Sequence, residues 1–429
     1  MKNNYFLTKT GFVLTLSLCI FNPTYAQKEK QSSLIERPAQ VSFISPLGTN
    51  GIECGSVVNN FSLNIISGYS GGLNGLEIGS VLNVEKEYVK GMQIAGFGNI
   101  AGKDVIGGQI AGFCNISGGS VIGTQFSGFT NIAGDSSKTL QIAGFSNIVK
   151  GSMKGSQYAG FCNVNSGATV GPQFAGFCNV SADSAITTQF SGFTNVVSGS
   201  LKGTQIAGFV NVSRSGKGIQ IAGFGNIAAG NFDGLQLSGF INKAKYVRGV
   251  QLGFINVCDS IKGIPIGFLS IVRNGYRHFE ITGSEGLNIN FTYKMGSNQF
   301  YNILTVGVQE FSDKPRWGWG YGLGTEIKLV KDFNMNIELV SHHINEDSWF
   351  THDLNLLNQL KVFASKSFSK HLSVFAGPTL NVMVSQDYNQ DTQSFGSHLA
   401  PWIMNEQNVG YYDQTNIKTW IGMEAGIRF

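Results

Sequence analysis

The sequence predicts an all-β chain: a β-solenoid of about twelve 16-residue coils, then a small antiparallel barrel of about eight strands. Three observations carry that prediction. A unit with the core Gln-x-Ala/Ser-Gly-Phe-x-Asn recurs at Gln93, Gln109, Gln125, Gln141, Gln157, Gln173, Gln189 and Gln205 with unchanged spacing. The last third of the chain abandons the repeat for long alternating segments. Composition agrees, since 57 glycines, 8 prolines and 13% charged residues suit tight turns and packed strands better than helices.

Residues 1–26 look like an export signal. Lys2 and Lys9 precede the apolar run 11–21, and Thr24-Tyr25-Ala26 supplies small residues for cleavage. The run is too short to span a bilayer. Leu18 before Cys19 argues against a lipoprotein, so cleavage after Ala26 is expected. Residues 27–72 follow as an N-terminal segment and solenoid cap. No later run of some twenty apolar residues suggests a transmembrane helix. The net charge of +4 comes without a basic stripe, which excludes nucleic acid as the expected partner.

The solenoid is expected over 73–272. It starts imperfectly at Glu77, loosens at Gln220, Gln236 and Gln251, and decays at Pro265. Counting from each Gln, position +1 (Ile94, Ile110, Phe126) and position +7 (Ile100, Ile116, Ile132) share one face of an extended segment. The Phe at +4 has the opposite parity, so the Gly before it marks a corner or bulge. Apolar residues four positions before the Gln (Val89, Val105, Val121) suggest a second, weaker strand. Two strands and two Gly-rich corners make one coil, and twelve coils make a rod roughly 58 Å long. A flat meander would leave the Phe and Ile faces exposed, whereas stacked coils place Phe on Phe and Asn on Asn.

The Gln and Asn columns could form a polar binding face. The reading preferred here is structural: amide ladders that hydrogen-bond along the stack. Cys114, Cys162 and Cys178 share one slot that elsewhere holds Gly98, Thr130 or Ser146, a position for any compact side chain. Cys162 and Cys178 fall on adjacent coils, but side chains stacked in register disfavour a bridge. Five cysteines remain after cleavage, leaving at least one free.

Residues 275–429 are expected to form an outer-membrane-type barrel. Leu287, Ile289, Phe291, Tyr293 and Met295 share one face against Asn288, Asn290, Thr292 and Lys294. Trp317, Trp319, Tyr321 and Leu323 oppose a row of glycines, and Ile421, Met423, Ala425, Ile427 and Phe429 oppose Trp420, Glu424 and Arg428. That is the pattern of lipid outside and polar lumen inside. Strands are expected at about 275–282, 287–295, 300–311, 317–330, 333–343, 354–368, 372–385 and 417–429. Short turns alternate with longer loops, as periplasmic turns and external loops do. Glu280, Lys294, Glu326, Lys328, Glu338, Lys361, Glu424 and Arg428 are candidates to pair within.

The Gln-led units, the segment 61–75 and residues 276–296 resemble a family of surface-repeat proteins of Gram-negative bacteria, with GxQxAGxxN-type repeats sometimes followed by an outer-membrane barrel. The resemblance covers roughly half the chain and implies architecture and cell-envelope location, with no activity attached. The terminal Phe429 strand likewise resembles the strand that barrel-assembly machinery reads.

No P-loop, CxxC or HExxH appears. His342, His343 and His352 near Glu346, Asp347 and Asp353 lack a diagnostic ligand spacing. No catalytic, cofactor or metal residue is assigned, and no cofactor is expected. The expected function is a non-enzymatic outer-membrane structural or interaction protein, with lipid and the assembly machinery as partners. A glycan or an envelope protein could meet the solenoid face. The alternatives are a glycan-acting β-helix enzyme, which would need clustered charges, and a lipid-modifying small barrel using His398 with Ser394 or Ser397. Strand parity puts the solenoid in the periplasm. A missing first strand, or barrel strands at 41–45 and 61–66, would reverse that.

Overall fold

The structure, a computed structural model, describes residues 34–309, 316–346, 349–369, 372–389, 393–410 and 414–429. The expected export signal lies outside them. The described chain is almost wholly β, with one 3-10 turn at Gly51–Ser56.

About 13 parallel coils form the solenoid. Each regular coil has two strands, such as Val89–Ala95 and Gly98–Ala101, joined by corners at 96–97 and 102–104. Register is exact in the repeat: Gln93 pairs with Gln109, Gln109 with Gln125, and Asn99 with Asn115. Ladder formation begins before the expected boundary at 73. Ile35–Ile44 pairs in parallel with Val57–Asn64, which pairs with Gly72–Gly79. Segments 41–45 and 61–66 therefore belong to the solenoid up to their strand ends, and none of their strands joins the second sheet.

Two details of the coil differ from expectation. The apolar residue at −4 and the Gln lie in one strand, since Val89 and Gln93 both fall in Val89–Ala95. More consequentially, polarity is inverted. Gln141 and Asn147 are 0% exposed, whereas Ile142 and Phe177 are each 40% exposed. The corner at 96–97 resets the strand parity, so +1, +4 and +7 all face outward. Small residues and the −4 residues Val89, Val105, Val121 and Met153 fill the interior beside the amides. The narrow interior takes small residues beside the amides, and it admits Phe232 only where the preceding coil's −4 residue is Gly216.

The second unit is an antiparallel sheet of nine strands. Eight are long: β1 (Tyr276–Ser284), β2 (Ile289–Ser297), β3 (Phe300–Gln309), β4 (Arg316–Val330), β5 (Phe333–Asn345), β6 (Asn355–Ser369), β7 (Leu372–Ser385) and β8 (Thr415–Arg428). Each pairs with the next, and β1 also pairs with β8 over Glu280–Ser284 and Glu424–Arg428. The ninth, Asn405–Val409, pairs with the start of β8. Nearby, the Trp402 indole donates to the Ile421 carbonyl at 3.0 Å and Glu285 accepts the Met423 N–H at 3.0 Å.

Cys162 and Cys178 are bridged, with Cα atoms 4.7 Å apart. The expectation against a bridge gave too much weight to the parallel side chains: a registered pair of neighbouring strands falls within the Cα range a disulfide spans.

Candidate functional site

The solenoid interior is built from two ladders of amides running in opposite directions. Gln109 Nε2 donates to Gln93 Oε1 at 2.8 Å, and each later Gln donates to the coil before it as far as Gln251 to Gln236. Asn99 Nδ2 donates forward to Asn115 Oδ1 at 2.9 Å and gives its second hydrogen to the Ile110 carbonyl at 2.8 Å. Every regular coil repeats this. The amides are thus consumed inside, which answers whether the Gln and Asn columns form a binding face. They do not reach the surface.

At the N-terminal end the Gln ladder stops at Glu77. Its two oxygens accept from Gln93 Nε2 at 2.8 Å and Asn64 Nδ2 at 2.7 Å. An acceptor-only group suits that position, where a Gln would turn a donor towards Asn64. Glu85 is buried nearby and accepts from Ser70 at 2.6 Å. Burial pushes both carboxyls up, Glu85 further because the charge of Glu77 opposes its ionisation. Burial also raises the Cys114 thiol, and burial with Asp259 takes Cys258 up to about 12, which makes both poor nucleophiles.

Outside run three apolar columns. The +1 column is continuous in register from Val41 through Leu63, Ile78 and Ile94 to Ile266. The +4 column stacks Phe97 on Phe113, Phe129 and Phe145 with ring centroids 4.8 Å apart, and continues to Phe268. The +7 column carries Ile100, Ile116, Ile132 and their successors, interrupted by Lys243. Between the first two columns, Tyr158, Phe174 and Phe190 wall a shallow groove of about 500 Å³ floored by Gly160 and Gly176. A Cβ at Gly160 would lie 2.0 Å from the Gly144 carbonyl, so the floor must be glycine. The groove offers aromatic surface without amides, unlike a sugar-binding cleft.

The second sheet repeats the inversion. Phe291, Val306, Trp319, Leu339, Leu360 and Ile421 face out. Facing inward, Lys294 bridges Glu280 at 2.8 Å and also contacts Glu338, while Arg428 bridges Glu280 at 2.6 Å and Glu326 at 2.8 Å. Lys361 pairs with Glu424 at 2.7 Å. Seven of the eight expected interior charges therefore meet, and Lys328 does not: it sits beyond the packed part of β4 and is exposed. Leu287, Ile344, Leu357, Met383, Leu399 and Trp420 close the opposite end of the interior.

The histidines do not converge. His342 points inward and His343 outward against Trp319, as successive strand residues must. His343 contacts the Thr351 carbonyl at 3.0 Å. Asp347 and His371 lie outside the described residues, among which no group of His, Cys, Asp or Glu could hold a metal. Ser397 donates to Glu346, and the His398 backbone N–H meets the same carboxylate at 3.1 Å.

Comparison with protein-family models, curated proteins and solved structures finds no match.

Proposed function

We propose that this chain is a non-enzymatic protein of the Gram-negative outer membrane, in which β1–β8 close into a lipid-embedded barrel and the solenoid is a rigid interaction element. The observation that carries the reading is polarity. Apolar side chains cover the outside of the sheet and paired charges fill its inside, which is favourable only if the outside meets hydrocarbon. The β1–β8 pairing supports closure, since it leaves none of the eight long strands at a sheet edge. The filled interior suits an anchor rather than a channel. The ladders explain the amides, and the interior ion pairs explain most of the buried charges, without invoking turnover. The repeat supports kinship with surface-repeat proteins.

Membrane fractionation with semi-native electrophoresis tests this. The mature chain is expected in the outer-membrane fraction with heat-modifiable mobility. Recovery wholly in the soluble periplasm would overturn it. Turnover of an envelope glycan or lipid, abolished by a single Asp, Glu or His substitution, would overturn the non-enzymatic part.

A further inference from the structure

We propose that the solenoid lies along the periplasmic leaflet of the outer membrane, with its Ile and Phe columns seated among acyl chains and a flanking basic row at the phosphates. The proposal rests on the barrel reading and adds the partner of the solenoid face.

The face is too large and too uniform to be left to water. Wrapped around the corner at 96–97, the three columns take up about 20 Å of coil contour along about 58 Å of rod, on the order of 1,000 Å², beyond the few hundred Å² that soluble monomers expose. The +1 column carries one polar atom, the Tyr158 hydroxyl, and the +4 column carries none from Phe97 to Phe268. Such a surface has nothing with which to recognise a sugar. Hydrocarbon needs only that the backbone be satisfied, and the coils do this themselves: Phe113 N–H donates to the Phe97 carbonyl at 2.8 Å, and Phe129 to Phe113 at 2.9 Å.

The apolar face also runs into the outer surface of the barrel sheet. The ring of Phe268 stacks on Tyr321 at 4.6 Å, and Tyr321 lies on the outward side of β4 with Trp319 and Leu323. The joint is fixed by hydrogen bonds. Tyr321 Oη donates to the Phe268 carbonyl at 3.0 Å, Asn302 Nδ2 to the Gly267 carbonyl at 2.8 Å, and Ser270 N–H to Asn302 Oδ1 at 2.8 Å. Asn302 stands two residues into β3 from the short turn after Ser297, so the rod meets the barrel at its short-turn end.

Charge supplies the independent observation. Three residues before each Gln, on the same strand face as +1, runs a row that includes Lys90, Lys138, Lys154, Lys202, Lys217, Arg248 and Lys262, interrupted by the exposed Ile106, Ile122, Val170 and Ile186. Lys138 pairs in register with Lys154, Lys202 with Lys217, and Arg248 with Lys262. Only Asp233 in that row carries the opposite sign, and its contact with Arg248 is 3.9 Å. Like charges one strand apart repel, and a line of phosphates would relieve that. Four strand residues separate the row from the +1 column, about 13 Å. That is the offset from acyl chains to headgroups.

Spin labels on the full-length chain test the proposal, with Cys54, Cys114 and Cys258 changed to Ser and the Cys162–Cys178 bridge kept. Single cysteines replace Phe145, Ile142 (a second position against local distortion), Leu360 on the barrel exterior, or Ser152 at a corner. Each protein is reconstituted in phosphatidylethanolamine–phosphatidylglycerol vesicles. Accessibility to oxygen and to a water-soluble nickel chelate is then read. Positions 145 and 142 are expected to match 360, with nickel accessibility at least fivefold below that at 152. If 145 and 142 behave like 152 while 360 stays in lipid, the proposal falls and the barrel reading stands. If 360 is also aqueous, both fall. Spin–spin broadening at 145 would place a second copy on the face and overturn the lipid assignment.

Discussion

Glu85 occupies a slot that other coils fill with Ala101, Ser117 or Ala133, and a carboxyl there is neutral only at a cost in pH range. Its folded value lies well above the ordinary one, chiefly through burial and then through Glu77. A raised carboxyl leaves the fold unpenalised at low pH, where it is protonated in both states. Above about pH 4.3 the unfolded chain ionises first, so stability falls until the raised folded value is passed. Glu85→Gln is therefore expected to raise the melting temperature at pH 8 and leave it nearly unchanged at pH 4. Thermal melts of the detergent-solubilised protein at both values measure this. A shift of equal size at both would show that packing, not charge, sets the cost. Glu77 was legible in the sequence as an imperfect Gln, but its acceptor role was not. The direction of an amide ladder depends on which atom donates, and the spacing of residues carries no such information.

The coil shows what alternation can and cannot tell. In 275–429 the strand limits followed the alternation closely, because one flat register relates every residue to two faces. In the repeat, parity gave the pairs +1 with +7 and lost the Phe at +4, because the corner at Gly96-Phe97 restarts the count. The expectation that stacking covers the Phe and Ile faces inverted the coil, since the narrow bore is filled by amides, Ala and Val, with Phe232 lodged beside Gly216, while the Phe column at +4 stays out. The bend inside the longer strand can be tested. Gly155 has φ 135°, and a Cβ there would meet the Thr139 carbonyl at 2.0 Å. Thr139 stands in the same column without positive φ, and its buried hydroxyl has no partner. Gly155→Ala is expected to cost more than about 2 kcal/mol through strain and displaced backbone. Thr139→Ala should stay within about 1 kcal/mol, since it removes an unpaired polar atom along with a methyl. Denaturant titration of both variants checks the contrast, and equal losses would mean that the column rather than the local backbone is intolerant.

At the scale of the molecule, solenoid and sheet share one plan, with polar groups satisfied inside and apolar columns outside, joined where Phe268 meets Tyr321. On the proposed barrel, counting strands gives the side of the membrane that carries the rod. The first strand at Tyr276–Ser284 is present, and the early segments that might have served as barrel strands lie in the solenoid ladder. Eight strands bring Tyr276 and Phe429 to the same end, which also holds the tight turn between Ser297 and Phe300. In outer-membrane barrels short turns face the periplasm. The rod should therefore be hidden from the outside of the cell. Two cysteine variants measure this in intact cells with a membrane-impermeant maleimide: Ser152→Cys at a repeat corner, and Met404→Cys in the long segment before β8, where the native side chain is 64% exposed. Position 404 is expected to react at once, and position 152 only after the outer membrane is permeabilised, with at least tenfold less labelling before. Rapid reaction at 152 in intact cells would put the rod on the cell surface and reverse the orientation of every strand.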